Sequence, residues 1–328
     1  MWAVKLLAVD NDLYIRDLLP MILAEAGVTD VTVTGSAHNA LSAIASQTEP
    51  FECFLLDIQM PGASGIELCA DIRRLPIYRK TPIIMLTAMQ EKSYIDEAFA
   101  AGATDYATKP FDIAEVRARV GMAKLLVEEQ RRVRELSASA AISSDATATD
   151  TKPDFAEHLD LGGVKGLVST NAFENYLGQL SRAGFQSLSF FSVHVQDGGK
   201  IFNRCMASEF EYALRHVADA TIASPGTDTV IMCYVGSGNF LCCSSAATMQ
   251  LSEELEADIQ EILDNKDLTH DDGSPLDIEV AIGATVQPLL TEPLRLGALE
   301  AQAVKRAMER VREKSAKPKL VNIKRVAF

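Results

Sequence analysis

Four short segments of this sequence carry side chains able to handle a phosphoryl group. Val9-Asp10-Asn11-Asp12 closes one apolar run, and Leu55-Leu56-Asp57-Ile58-Gln59-Met60-Pro61-Gly62 closes another. Met85-Leu86-Thr87-Ala88 closes a third, and Lys109-Pro110 follows a fourth. A carboxylate is a nucleophile that can form an acyl phosphate. It needs a hard divalent cation, Mg²⁺, to shield the incoming oxygens, and such an ion takes oxygen ligands. Asp10 and Asp57 supply charge, and the Gln59 backbone carbonyl supplies a neutral oxygen. Lys109 can neutralise one phosphoryl oxygen, and the Thr87 hydroxyl can donate to another. Taken singly, each piece is an ordinary cap or loop residue. All four, in order at the ends of successive strands, are not an accident.

The elements that must position them are legible as a period. Short apolar runs at 4–9, 31–34, 51–56, 82–86 and 104–107 alternate with helix-like stretches. Runs of that kind predict parallel strands buried on both faces. In the stretch after the second run, Ser36 is an N-cap, and Ala40, Leu41 and Ile44 share one face. Pro20 is expected to kink the first helix. Five such units make an α/β, doubly wound, five-stranded parallel sheet with its working site outside the strand C-terminal ends. The fifth helix runs on over 113–136 into a charged stretch. Its apolar residues at 116, 120, 123 and 127 have coiled-coil-like spacing, which fits a dimerising helix and a solvated helix end equally.

Residues 137–154 hold few large apolar side chains and read as a linker. The second globular segment is expected to be α/β with an antiparallel-containing sheet. Helices are predicted near 170–183, 208–223, 252–263 and 295–314, and strands at 188–195 and 278–286. A hairpin over 229–243 turns at Gly236-Ser237-Gly238-Asn239. The organisation is therefore 1–124, a phosphoacceptor domain; 125–154, an extended helix and flexible linker; and 155–328, an output domain.

Composition narrows the function. A net charge of −14 over 328 residues offers little to neutralise a row of nucleic-acid phosphates. The basic residues Lys314, Lys317, Lys319, Lys324 and Arg325 read as a solvated end. The six cysteines form no CxxC pair, and no metal-ligand spacing appears. The apolar N-terminal stretch is too short to span a membrane and has no signal-peptide character. A cytoplasmic protein is expected, with neither nucleic acid nor membrane as partner.

Residues 4–124 resemble the response-regulator receiver family over the whole domain. The resemblance implies that Asp57 is phosphorylated by a histidine kinase or phosphotransfer protein. It assigns Met60-Pro61-Gly62 with Gly65 to the following loop, Thr87 to the switch hydroxyl and Lys109 to the phosphate-contacting lysine. Tyr106 matches the switch aromatic. The metal set is Asp10, Asn11, Asp57 and Gln59, with Mg²⁺ as cofactor. One departure stands out: Asn11 occupies a place where the family has a carboxylate, which predicts weakened metal binding unless Asp12 restores the charge.

Residues 155–328 resemble the GGDEF family of diguanylate cyclases in motif and order. The carriers are Gly166-Leu167 with Ala172-Phe173, the hairpin Gly236-Ser237-Gly238-Asn239-Phe240, and the stretch 278–283. Lys305 matches a lysine on the last helix that contacts phosphates. The signature's acidic pair is Gly238 and Asn239 here, and the metal-binding carboxylate aligns with His194, its neighbour with Gln196. Ser169 stands where an asparagine contacts guanine, and Thr227 to Val230 do not make the RxxD of a product-inhibition site. Two-metal cyclisation needs carboxylates at those places. The resemblance therefore implies a degenerate, non-enzymatic output domain that acts through an unidentified downstream protein or a homodimer. A guanine- or cyclic-dinucleotide receptor and an active cyclase are the alternatives.

Overall fold

The computed structural model describes residues 4–88, 92–110, 112–143, 154–225, 227, 230–245, 252–288 and 296–316. Five strands lead the chain: β1 (Lys5–Val9), β2 (Asp30–Thr34), β3 (Cys53–Asp57), β4 (Ile83–Thr87) and β5 (Asp105–Thr108). They pair in parallel in the order β2-β1-β3-β4-β5. The helices α1 (Leu13–Glu25), α2 (Ala37–Ser46), α3 (Gly65–Arg74), α4 (Lys92–Ala100) and α5 (Ile113–Ser143) cover both faces. β3 and β4 are buried at every position, as a central strand between two helix layers must be. Strand order reverses between β1 and β3, so the crevice of the doubly wound sheet opens beside Asp10 and Asp57.

Local sequence explains the helix starts. Asp12 caps α1 by accepting from Tyr14 N, and Ser36 caps α2 by accepting from Asn39 N. Ser64 and Glu67 form a reciprocal capping box on α3. α1 is one continuous helix over Leu13–Glu25 with Pro20 inside it.

α5 departs most from its sequence reading. Val116, Val120, Ala123 and Val127 are all buried against β1, β3 and α1. The coiled-coil-like stripe is thus occupied within its own domain, not presented to a second copy. The Arg131 guanidinium pairs with Glu52, and Gln130 Nε2 donates to Lys80 O at 3.0 Å. The helix therefore stays docked beyond residue 124, where the first domain was expected to end. It continues as helix to Ser143, through alanine- and serine-rich sequence read as linker. Residues 144–153, the rest of that linker, and the basic residues beyond 316 lie outside the described residues.

The second region contains α6 (Thr170–Gln179), α7 (Arg182–Gln186), β6 (Leu188–Val195), α8 (Gly198–Arg204), α9 (Ala207–Ala223), β7 (Ile231–Tyr234), β8 (Asn239–Ser245), α10 (Ser252–Asp264), β9 (Val280–Ile282) and α11 (Leu296–Ala316). Its antiparallel sheet has the order β7-β8-β6-β9. Side chains alternate between its faces: Phe190 and Cys243 pack toward α6 and α11, and Phe191 and Cys242 toward α9 and α10. The single helix expected over 170–183 divides at Leu180, where Ser181 caps α7. The strand expected over 278–286 pairs as β9 only to Ile282, then rejoins at the Phe190–Val286 bridge. Between them, α11 presses so close that a Cβ on Gly283 would lie 2.3 Å from Ala307 N. α8 was not anticipated.

The two regions share a core. Phe173, Tyr176 and Leu177 of α6 pack in one cluster with Ala98, Phe99 and Tyr106 of α4 and β5. Gly166 N donates to Ala100 O at 2.7 Å, and Asn175 Nδ2 to Thr104 O at 3.0 Å. The Tyr176 hydroxyl donates to Asp96 at 2.9 Å.

Candidate functional site

The ends of β1, β3 and β5 bring three charged side chains to one point. Lys109 Nζ lies 2.7 Å from Asp10 Oδ2 and 2.9 Å from Asp57 Oδ1. Both carboxylates are buried, Asp10 completely. Burial pushes the Asp57 carboxyl above its ordinary value, the Lys109 hydrogen bond and charge oppose this, and the Asp10 charge adds to it. Thr87 is buried at the end of β4, next along from Leu86, the register partner of Asp57. Lys109 N donates to Thr87 O at 2.6 Å and Ile58 N to Leu86 O at 2.9 Å, so the three loops are tied together by backbone bonds.

Glycine is required where α3 meets the nucleophile's strand. A Cβ on Gly65 would fall 2.0 Å from the Asp57 carbonyl oxygen. The sequence reading did not identify Arg16. Its guanidinium donates to the carbonyls of Asp10 at 2.9 Å and Asn11 at 3.0 Å, holding the β1–α1 loop. Gly35 leaves room for that guanidinium, with a Cβ there only 2.7 Å from Arg16 Nη1.

Asp10, Asp57 and the Gln59 carbonyl form an all-oxygen donor set, the kind a hard divalent cation takes. Asn11 is oriented otherwise. With its amide assigned from its neighbours, the NH2 group donates to Gln59 O at 2.8 Å and to Asp57 Oδ2 at 3.0 Å. To act as the metal ligand expected from the sequence, it must turn its oxygen inward. The Asp12 carboxylate caps α1, accepting from Tyr14 N at 2.8 Å through one of its two oxygens.

From this site a path of aromatic rings leads to the second region. Tyr106 is buried, and the Phe99 ring stands edge-on to it at 6.3 Å and to Tyr176 at 5.4 Å. Arg119 lies 6.0 Å from the centroid of the Tyr106 ring, pairs with Asp105 at 2.6 Å, and donates to the Gln179 amide oxygen on α6.

The hairpin turn of the second region is closed by its own chain. Gly236, Ser237 and Gly238 all have positive φ, at 84°, 53° and 75°. Ser237 N donates to Phe155 O, Gly238 N to the Tyr234 hydroxyl, and Asn239 N to Gly236 O. A Cβ on Gly236 would meet Ala156 O at 2.2 Å. These three amides are therefore not offered to an anion. The Asn239 amide donates to the Gly236 and Ser237 carbonyls, which turns its oxygen toward His194 Nδ1 at 2.9 Å. Burial lowers the His194 pKa, opposed by the Asn239 hydrogen bond, and the ring donates from Nδ1 to the Asn239 oxygen. Gln196 Nε2 donates to Val280 O at 3.1 Å. Phe240 packs in the core, while Lys305 is exposed on α11. A cleft of about 980 Å³ between the two regions is lined by both signs of charge, with Arg74, Arg79, Lys80 and Lys165 beside Glu67, Glu97 and Asp160.

Known proteins resemble the first region. The family described as response regulator receiver domain matches residues 6–121. The transcriptional regulatory protein ResD of Bacillus subtilis is 42% identical over 117 residues, 35% of this chain and 46% of ResD. The phosphate regulon transcriptional regulatory protein PhoB of Escherichia coli is 26% identical over 214 residues, 65% of this chain and 79% of PhoB. A putative response regulator from Chloroflexus aurantiacus matches 39% of this chain and 99% of its own, with 32% identity and a TM-score of 0.35. This chain thus matches less than half the length of ResD. Among the described residues, no helix is long and apolar enough to cross a membrane.

Proposed function

We propose that this chain, whose residues 6–121 are a response regulator receiver domain, accepts a phosphoryl group on Asp57 and passes the signal to a non-catalytic output domain through direct contact. The donor is a histidine kinase or phosphotransfer protein. The convergence of Asp10, Asp57 and Lys109 carries the reading. The Asp57 carboxylate attacks phosphorus as the P–N bond of the donor's phosphohistidine breaks and its imidazole leaves, and Lys109 and Thr87 take the phosphoryl oxygens. Mg²⁺, held by Asp10, Asp57 and the Gln59 carbonyl, adds shielding of phosphoryl charge when bound. Lys109 must then leave its two carboxylates for the new oxygens, and the β4 and β5 ends adjust with it. Tyr106 and Phe99 carry that adjustment to Tyr176.

The second region reads as a GGDEF-like domain without cyclase chemistry. Where two metal ions would need carboxylates, His194 and Asn239 are hydrogen-bonded to each other. Its output is a protein contact in the cytoplasm and not DNA binding, in keeping with the net charge of −14. A second reading, in which the region binds a guanine or cyclic dinucleotide, draws on the Arg74, Arg79, Lys80 and Lys165 side chains of the cleft, which Glu67, Asp96, Glu97 and Asp160 line as well. A thermal-shift screen with those nucleotides separates the two.

The primary reading is tested by intact mass after treatment with a small-molecule phosphodonor and Mg²⁺. One phosphoryl adduct on wild type and none on Asp57→Asn is expected. An unmodified wild type, or an adduct retained in the variant, contradicts it.

A further inference from the structure

Away from both sites, three metal-binding side chains of different chemistry meet under the surface of the second region. Cys205 lies between α8 and α9, Glu209 is in the first turn of α9, and His270 sits in the turn closed by the Thr269–Pro275 bridge. Cys205 Sγ is 3.4 Å from His270 Nδ1, and Glu209 Oε1 is 2.5 Å from that same nitrogen. All three ligand atoms lie within 4.8 Å of one another. The residues are buried, with 5–8% exposure each.

We propose that Cys205, Glu209 and His270 form a binding site for a borderline-soft divalent cation of the Zn²⁺ class. In a catalytic-type triad the acid and the nucleophile engage opposite nitrogens of the imidazole. Here both converge on Nδ1, so the three groups share one focus. The 3.4 Å sulfur–nitrogen separation matches the edge of a tetrahedron with Zn–S of about 2.3 Å and Zn–N of about 2.0 Å. The glutamate oxygen has to withdraw from the ring nitrogen by somewhat under 1 Å, a small side-chain torsion. A thiolate and an imidazole select against Mg²⁺ and Ca²⁺. Three protein ligands leave a fourth position for water. The ion would pin the turn that carries His270 to the α8–α9 junction, bridging 65 residues of sequence between Cys205 and His270.

The turn is built to hold its histidine. His270 N donates to Ser274 O at 2.8 Å, and Gly273 N to His270 O at 2.8 Å. The Asp271 amide, next to the histidine, also donates to Glu209 Oε1 at 3.4 Å, so the carboxylate is oriented from the same turn.

The test titrates metal-stripped, reduced full-length protein with Co²⁺ alone. Expected is one equivalent with thiolate-to-cobalt charge-transfer absorption, displaced by Zn²⁺. Cys205→Ser removes the band, and Glu209→Gln and His270→Gln each weaken binding at least tenfold. Asp57→Asn leaves the band intact, which separates this ion from any at the receiver site. Absence of the band in wild type, or its persistence in Cys205→Ser, overturns the proposal. Because the first result needs no variant, misfolding of the substituted chains cannot mask the answer.

Discussion

At the ends of β1, β3 and β5, two buried carboxylates share one lysine, and a phosphoryl group can take that lysine over. At the turn between β7 and β8, the backbone amides of Ser237, Gly238 and Asn239 and the Asn239 side chain all have partners within the chain. Both are strand-end sites in α/β layers, and both hold a turn beside a short polar segment. The first keeps charge concentrated in a crevice, which is what the proposed phosphoryl transfer needs. The second has neutral groups bonded to one another, so its polar atoms stabilise the fold. The two turns differ in where their hydrogen bonds go, into a shared charge centre in the first and into the chain itself in the second.

The largest test of this contrast is Asp57→Asn, which is expected to abolish the phosphoryl adduct altogether, as read by intact mass. Next comes Gly65→Ala. Its Cβ must displace either the Asp57 carbonyl or the start of α3. A loss of about 2–3 kcal/mol in urea unfolding is expected, with slower phosphorylation. An unchanged midpoint would mean that the close approach relaxes freely. Asn11→Asp supplies a third carboxylate in place of an amide that now donates into the site. Mg²⁺ affinity measured by calorimetry should tighten about tenfold, since ligand charge sets the affinity of such sites. Tyr176→Phe keeps the ring but removes the hydroxyl that reaches Asp96. It should cost about 1 kcal/mol of stability and weaken coupling between the regions, not phosphorylation itself.

The smallest effect concerns His194. Burial lowers its pKa in the folded chain, so the unfolded chain binds the proton more readily. Its contribution to stability is complete above the ordinary histidine value of about 6.5 and is lost as pH falls through the lower, folded value. His194→Gln should flatten that acid-side slope in thermal unfolding curves recorded across the window. A slope unchanged by the substitution would show that burial of His194 is not what makes stability depend on pH there.

The phosphoacceptor crevice was legible because its signals are local. Apolar runs fix the strands, and Asp57, Thr87 and Lys109 sit at their ends whatever the helices do. The orientation of Asn11 was not legible, since it depends on the Gln59 carbonyl and Asp57 on a different strand. The same holds for Arg16, whose task is set by two loop carbonyls. The apolar stripe of α5 had the right spacing for a dimer, but only the folded domain shows that α1 and the sheet already cover it. Phe155 against the hairpin turn, and Cys205 beside His270, join residues too far apart in sequence for any spacing rule to find. Cys205 and Glu209 stand at i, i+4, a relation that becomes a candidate metal set only once the fold adds His270.

The central claim is that the second region reads the state of Asp57 through α4, β5 and α6. The most direct measurement is amide hydrogen exchange on the full chain with and without phosphodonor, the adduct being verified by mass in the same sample. Altered protection at residues 96–106 and 170–179, absent in Asp57→Asn, is the predicted result. A stoichiometric adduct that leaves both segments unchanged would contradict the account.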